Sequence, residues 1–557
     1  MAPPLDELRR RIAALKTERA TWIPIWKEIA DHISPGSGVF SDERPNRGKR
    51  GDERIIDGEP ERALRVLAAG MQSGLTSPSR PWFRLEVPDS GLSEYPPVKF
   101  WLAEVQRRME TVFARSNTYN ALHMLYGEVG AFGTGAMMVL PDYRDVIRCR
   151  TFSAGEYLLA LGPDLRTEVF VREGWMTAAQ MVAEFGMDAV SDSVRAAFLN
   201  GSTEAWFRIL HVIEPNDERI EGLPGPRGMR YRSVHFEEAA TEGRFLRASG
   251  FEELPVMAPR WEVRPNCVYG RGPGWTALGD SKMLQKLQED SLMALAKVVD
   301  PPLRVPWNFR RDGVNILPGG ITFVDGSERE AVTPLYQISP DLQAVEYKIR
   351  SVKDSIGRTF FNDLFLMLTS MDQAGRRDMT AREVVERHEE KLVMLGPVLE
   401  RLEGELLDPL IDRTFSIMLR SGLVPPPPEE LAGMDLQVEY VSMLAQAQRM
   451  VAVTGIEQLV AFTGSLAAVN PAAVDKIDWD QTIDEYAAAL GTPPGMVVSD
   501  DEVAEIREAR ARKEQAAQAA QMAAQAAQGA KVLSEADTGG NNALSMLMGS
   551  LGMGGGA

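Results

Sequence analysis

Residues 276–302 read TALGDSKMLQKLQEDSLMALAKVVDPP, and residues 340–368 read PDLQAVEYKIRSVKDSIGRTFFNDLFLML. In the first stretch, Leu284, Leu287, Ala294 and Val298 recur on one face at helical spacing. Pro301-Pro302 stops that helix, because proline has no amide hydrogen and its ring meets the carbonyl four residues back. In the second stretch, Leu342, Val345, Ile349, Val352, Ile356 and Phe360 make one apolar stripe over a helix predicted for 341–368. Glu346–Arg350 and Asp354–Arg358 place an acid four residues ahead of a base, the favourable order on a helix surface. At 1.5 Å per residue the two helices would be roughly 36 and 42 Å long. Between them, residues 303–338 carry turn signals at Asp312-Gly313, Pro318-Gly319-Gly320 and Asp325-Gly326, and read as short strands. Such a pair can run out to a small β-rich domain and back. An ordinary helical hairpin within a globular core fits the same pattern.

Downstream, residues 369–379 form a polar break that contains Asp372, Gln373, Gly375, Arg376 and Arg377. Thr380-Ala381-Arg382-Glu383 is a capping box, and it opens a helix predicted over 380–420 and about 60 Å long. Leu392, Leu395, Leu399, Leu402, Leu406 and Leu410 form its stripe, and Gly396-Pro397 predicts a bend. Pro425 to Pro428 make a stiff break, and residues 441–513 read as mostly helical. The Ala/Gln run 515–530 reads as an exposed or frayed helix, and the Gly- and Met-rich tail from 537 as disordered.

Upstream lies a mixed region of about 270 residues, in line with a prior of several compact units for this length. Residues 5–33 read as a helix, 34–54 as a Gly-, Pro- and Arg-rich loop, and 59–76 as a second helix. Pro81 to Val87 read as a strand, 96–115 and 117–131 as helices, and 136–140 as a strand. Segments 146–172 and 205–263 alternate apolar and polar residues as strands do, with helix at 177–200. The fold class is mixed α+β, predominantly helical.

The chain has 557 residues and a formal net charge of −18. That balance argues against a general DNA-binding surface, which needs clustered Lys and Arg, but not against a wall along which DNA slides. Cys149 and Cys267 stand outside any metal-ligand spacing, so neither a zinc site nor a disulfide framework is expected. The start lacks the apolar stretch of a signal peptide, and no run approaches the ~18 apolar residues of a membrane span. The five histidines, His32, His123, His211, His235 and His388, are scattered, and there is no P-loop or G-x-S-x-G elbow. Gly130 to Gly135 read as a site of close backbone packing rather than a phosphate-binding turn, and Gly270 to Gly274 as a tight entry into the helix at 276–299. No catalytic constellation, metal site or cofactor site is indicated. The competing readings are a helical scaffold without DNA passage and an enzyme with dispersed carboxylates.

Four segments carry a resemblance. They are Ile55-Ile56-Asp57 through Leu67-Ala68-Ala69-Gly70 to Trp82-Phe83; Pro265 to Pro273 with Asp280 to Leu287; Ala381-Arg382-Glu383-Val384 with Leu395-Gly396-Pro397-Val398, Glu405-Leu406-Leu407 and Pro409-Leu410; and Tyr440-Val441-Ser442 with Leu444 to Arg449. In this order the chain resembles the head-to-tail connecting (portal) proteins of short-tailed phages. The Ala/Gln run and the tail depart from that pattern.

The resemblance implies a protomer of wing, stem, clip and crown in a twelvefold ring, a homo-oligomer at one capsid vertex of the virion, assembled in the host cytoplasm. It implies a wing over 1–274, stem helices over 275–299 and 340–368, a clip over 300–339 and a channel loop over 369–379. A long kinked helix over 380–420, a crown over 421–536 and a disordered tail over 537–557 complete it. The implied partners are terminase and later a tail adaptor at the clip, the major capsid and scaffolding proteins, and double-stranded DNA passing through without sequence specificity. No membrane is involved. Trp307 and Phe309 are candidate docking anchors or else clip core. Ile349, Val352 and Ile356 are expected at a stem interface with a neighbouring copy. Arg376 and Arg377, with Asp372 and Gln373, either line the channel or sit in a solvated turn. Twelve copies at −18 each would carry roughly −216, a wall of like charge that grips the duplex at no single register.

Overall fold

A computed structural model of the chain describes residues 5–40, 55–88, 92, 95–239, 244–299, 303–304, 333–334, 341–366, 394–431, 436–441, 456–467, 476–490, 497–498, 500–535, 537–538, 541–542 and 550. The chain divides into two compact units, Met1–Val451 and Ala452–Ala557. In the first unit the order is α1 (Leu5–Ala20), α2 (Ile23–His32), α3 (Glu59–Leu75), β1 (Phe83–Glu86), α4 (Pro96–Arg115), α5 (Thr118–Phe132), β2 (Ala136–Asp142) and β3 (Val146–Phe152). Then come β4 (Tyr157–Leu161), β5 (Thr167–Thr177), α6 (Ala178–Phe185), α7 (Asp192–Leu199), β6 (Trp206–Pro215), β7 (Tyr231–Glu237), β8 (Arg247–Phe251) and β9 (Val256–Met257). After them come α8 (Pro273–Val299), β10 (Leu303–Arg304), β11 (Thr333–Pro334), α9 (Leu342–Thr359), α10 (Asp408–Arg420) and β12 (Gln437–Tyr440). The second unit holds a helical stretch at 456–467, α11 (Trp479–Leu490), the 36-residue α12 (Asp500–Glu535) and an antiparallel pairing of Asp537–Thr538 with Asn541–Asn542. The fold is mixed α+β with helix predominating, as the sequence implies.

Where one helix is predicted over 5–33 there are two. Thr21 and Trp22 form a turn, and Pro24 sits in the first turn of α2, where a missing amide breaks no helix bond. The turn is fixed by tertiary packing, since the Trp22 ring meets Trp26, Tyr269 and Trp275 at centroid distances of 6.1, 5.6 and 5.5 Å. The helix predicted over 341–368 is likewise interrupted. It stops at Thr359, Phe361 adopts φ 55°, and helix resumes at 362. Left-handed backbone is costly for a bulky residue. Here the redirection lets Phe360, Leu364 and Phe365 all join the core. Of the tail expected to be disordered from 537, the described residues include Asp537–Thr538 paired antiparallel with Asn541–Asn542.

The principal core gathers α2, α3, α4, α5, the β2–β3 hairpin, the base of α8 and α9, and residues 395–418. Sheet β4-β5-β6-β7-β8 is antiparallel throughout and packs one face on α1, where Leu5, Leu8 and Ile12 meet Leu158, Val171, Val212 and Phe236. The other face is covered too, with Tyr157, Leu159, Phe170 and Ile213 in the principal core and Ile209 packed with Met181 and Val194. β10 pairs with β11, so the ends of the segment expected as the clip lie side by side. Trp307 and Phe309 fall outside the described residues, as do Asp372, Gln373, Arg376, Arg377 and the capping box at 380–383.

Candidate functional site

The described part of the expected stem is its base. α8 enters the core through Gly270, Gly272 and Gly274, which lie against the backbone of residues 129–133 at the end of α5, where a Cβ would collide with Gly133, Val129 and Ala131 carbonyls. The two glycine-rich stretches therefore pack on each other, a close backbone approach that side chains would prevent. From there Ala277, Leu278, Ser281, Leu284 and Gln285 are buried along α8.

Asp57 ties this base together. Its carboxylate accepts at 3.0 Å from the Glu59 amide, one of the free donors at the start of α3. It also accepts from Gln288 of α8 at 2.8 Å and pairs with Lys353 of α9 at 2.7 Å. Gln285 completes the joint, accepting from the Ile56 and Asp57 amides at 2.7 and 2.9 Å and donating to the Asp57 carbonyl at 2.8 Å. Burial pushes the Asp57 carboxyl up, but the Lys353 ammonium, the Glu59 amide and Gln288 together hold it below its ordinary value. Ser355 of α9 donates to Asp280 of α8 at 2.7 Å. On α3, Gly70 leaves room for the Phe365 ring, which any Cβ there would meet.

The described parts of the segments that carry the family resemblance converge on this core. Ile56 and Asp57 bond Gln285; Phe83 pairs in register with Tyr440. Tyr440 donates to Asp408, and Leu395, Leu399, Leu402, Leu406 and Leu410 are buried. Glu405 receives the guanidinium of buried Arg260, with Nη2 at 2.5 Å and Nε at 3.1 Å. Residues 403–407 form a π-turn, with Asp408 N–H donating to the Glu403 carbonyl five residues back. The widening falls where the Pro409 ring would otherwise meet the Glu405 carbonyl. Gly396 and Pro397 lie in helix just ahead, but the residues upstream that would define a bend there are outside those described.

The stem-interface expectation needs a correction at two of its three residues. Val352 and Ile356 are 3% and 0% exposed and are covered by their own chain, against α8 and α3, so they are closed to a neighbour in this arrangement. Ile349 is half-buried and lines an open groove of about 510 Å³ between α8 and α9, with Gln288, Ser291, Leu295, Glu346, Arg350 and Lys353. The outer half of α8 is different. Leu292, Met293, Leu295, Val298 and Val299 are exposed, Val299 to 77%.

Sequence reading missed Asp57, Gln285 and Lys353 as one joint. The signal was an Asp two residues ahead of Glu59-Pro60, a helix-start pattern whose second use only tertiary contacts reveal. It also treated the histidines as scattered, yet His211 and His235 stack at 3.7 Å. Among the described residues, no cluster of His, Cys, Asp or Glu is arranged to hold a metal ion, and no helix is long and apolar enough to cross a membrane.

A sequence model of the family described as bacteriophage head to tail connecting protein matches residues 5–497. The chain is 43% identical over 539 residues to the probable portal protein of Bordetella phage BPP-1, covering 97% of each chain. It is 42% identical over 544 residues to the portal protein of Salmonella phage epsilon15, again covering 97% of each. A solved structure titled as the neck of an empty GTA particle matches 84% of this chain and 99% of its own at 13% identity and a TM-score of 0.36. The converging segments, the family match over most of the chain and two relatives aligned along nearly their whole lengths place this chain in the bacteriophage head-to-tail connecting protein family.

Proposed function

We propose that copies of this chain assemble into a twelvefold ring that forms the DNA channel at one capsid vertex, through which the genome is packaged and ejected. The chain is then a structural part of the virion and not an enzyme, and it uses no cofactor. Beyond family membership, the observation that carries the reading is the outer half of α8, whose five exposed apolar residues, Leu292, Met293, Leu295, Val298 and Val299, lie on one helix. A helix left apolar beyond its own core is suited to a protein partner. In a ring that partner is the neighbouring copy.

In this reading residues 1–274 form the wing, 275–299 and 340–368 the stem, 300–339 the clip, 369–379 the channel loop, 380–420 the long helix and 421–536 the crown. Terminase and then the tail adaptor dock at the clip, where Trp307 and Phe309 serve as anchors or as clip core. The capsid and scaffolding proteins surround the wing, and assembly takes place in the host cytoplasm. The motor is a separate protein, since the sequence carries no P-loop. Negative-stain microscopy of the purified full chain tests the ring directly. Rings with an open axial hole are expected, and a population of compact single protomers at every concentration would overturn the proposal.

A further inference from the structure

The two faces of the five-stranded sheet differ in how their cations are matched. On the face under α1, every basic side chain named here meets a carboxylate. Arg19 binds Glu173 at 2.7 Å, Lys16 binds Glu173 and Glu238 at 2.6 and 2.8 Å, Arg11 and Arg232 share Glu214 at 2.5 and 2.7 Å, and Arg208 reaches Glu173 at 3.1 Å. On the opposite face, one rung of the sheet runs Tyr157, Arg172, His211, His235 and Arg247, each directly across from the next. Arg150 of β3, in the neighbouring three-stranded sheet, meets Arg172 of this rung at the Phe152 ring. The guanidinium carbons of Arg150 and Arg172 both lie 5.4 Å from the centroid of the buried Phe152 ring.

Neither arginine has a carboxylate within ion-pair distance among the described residues. Arg172 is half-buried, and its Nε is enclosed with no hydrogen-bond partner; the Nδ1 of His235 is likewise enclosed and unmatched. The His211 Nε2 is used by Ser233 at 2.9 Å. The nearby acids are engaged elsewhere. Glu156 accepts from the Ser153 amide at 2.9 Å, and Glu184 lies 3.6 Å from Arg247, whose guanidinium sits over Phe185. Burial and the charge of Arg150 push the Arg172 guanidinium down to about 10. A desolvated, unmatched guanidinium beside a second one is unfavourable unless an anion is delivered to it. Two planar forks over an aromatic floor match a carboxylate, which each can hold with paired hydrogen bonds.

We propose that the accessible edge of this otherwise covered face, at exposed Arg150 and half-buried Arg172, receives an Asp or Glu side chain from a second copy of the chain. The occupant follows from charge. With 79 acidic against 61 basic residues and a net charge of −18, each copy offers carboxylates widely, while its field repels a phosphodiester backbone. The inference rests on the self-association proposed above and adds one of its contacts.

Arg150 is exposed, so Arg150→Glu leaves folding intact and confronts an incoming carboxylate with like charge. Sedimentation velocity of the full chain should show association weakened by about tenfold or more. Arg166→Glu, the same charge change at an exposed site off the rung, should leave association unchanged. Arg172→Met should weaken association by a similar factor while the protomer melts no lower than the parent, because an unmatched half-buried charge is removed. Parent-like association in both Arg150→Glu and Arg172→Met overturns this inference and leaves the ring standing. An unchanged association with reduced binding of a labelled DNA duplex overturns it in favour of a phosphate site. A parent chain that never associates overturns the ring reading and this contact together.

Discussion

The Asp57 carboxylate has three partners on three elements, so its removal should be felt well beyond its own loop. Asp57→Ala leaves Lys353 without its acid and the Glu59 amide at the start of α3 without its acceptor. It is expected to lower the unfolding free energy by about 2–3 kcal/mol, measured by urea denaturation at pH 7. The pH dependence has a definite sign. The folded-state carboxyl titrates below the ordinary aspartate value of 3.8, so its stabilisation is present above that value and is lost as pH falls through the folded value. The gap between parent and Asp57→Ala should therefore narrow below about pH 4, as far as it comes from the charge. A gap that stayed constant down to pH 2 would mean that the ion pair with Lys353 contributes nothing. Gly70 belongs to the same scale: it is helical and buried, and its missing side chain is where Phe365 sits.

At the scale of elements, α9 and α8 divide their work differently from what periodicity suggests. The stripe of α9 is used by the protomer itself at Val352, Ile356 and Phe360, whereas α8 is core only up to Leu284 and Gln285 and then runs on with apolar residues exposed. Ile356→Asp should consequently unfold the protomer, placing an unpaired carboxylate in a fully buried site at a cost of about 4 kcal/mol or more. Leu295→Asp, at 46% exposure, should leave the melting transition within about 0.5 kcal/mol of the parent and reduce the assembled fraction. Circular dichroism melts combined with sedimentation separate the two. Rings formed as readily by Leu295→Asp as by the parent would remove the outer half of α8 from the interface. The π-turn at Glu403–Leu407 shows the same principle in a small space: Pro409 constrains the helix, and the chain widens one turn where the strain would fall.

For the whole assembly, charge sets the expected behaviour. In the proposed ring, −18 per copy would present DNA with a repulsive wall, and a few cations would suffice to modulate passage without fixing it. Arg376 and Arg377 are proposed for that role in the loop at 369–379. The double change Arg376→Ala, Arg377→Ala should leave ring and prohead assembly unchanged and impair DNA packaging or retention, because phosphate contacts are salt-sensitive and carry no sequence information. Packaged length and leakage would be measured on the same particles. Parent values for both would make the two arginines ordinary surface residues.

The sequence by itself determined the element types and the family. Period-3.6 stripes, glycine stretches and caps are local signals, and α3, α4, α5, β2, α8 and the core leucines from 395 to 410 lie where those signals put them. Four separated segments also kept their order along the chain, which is why the family was legible before any contact was known. Tertiary structure alone decided where helices break and which stripe is shared with whom. The turn at Trp22 depends on Tyr269 and Trp275, and the left-handed Phe361 on the room left by Gly70 for Phe365. The burial of Val352 and Ile356 depends on α3 and α8. The rung that aligns Arg172, His211, His235 and Arg247 depends on strand register across four strands. Each of these joins residues distant in sequence, and periodicity along one segment reports that a face is apolar or charged without reporting what covers it.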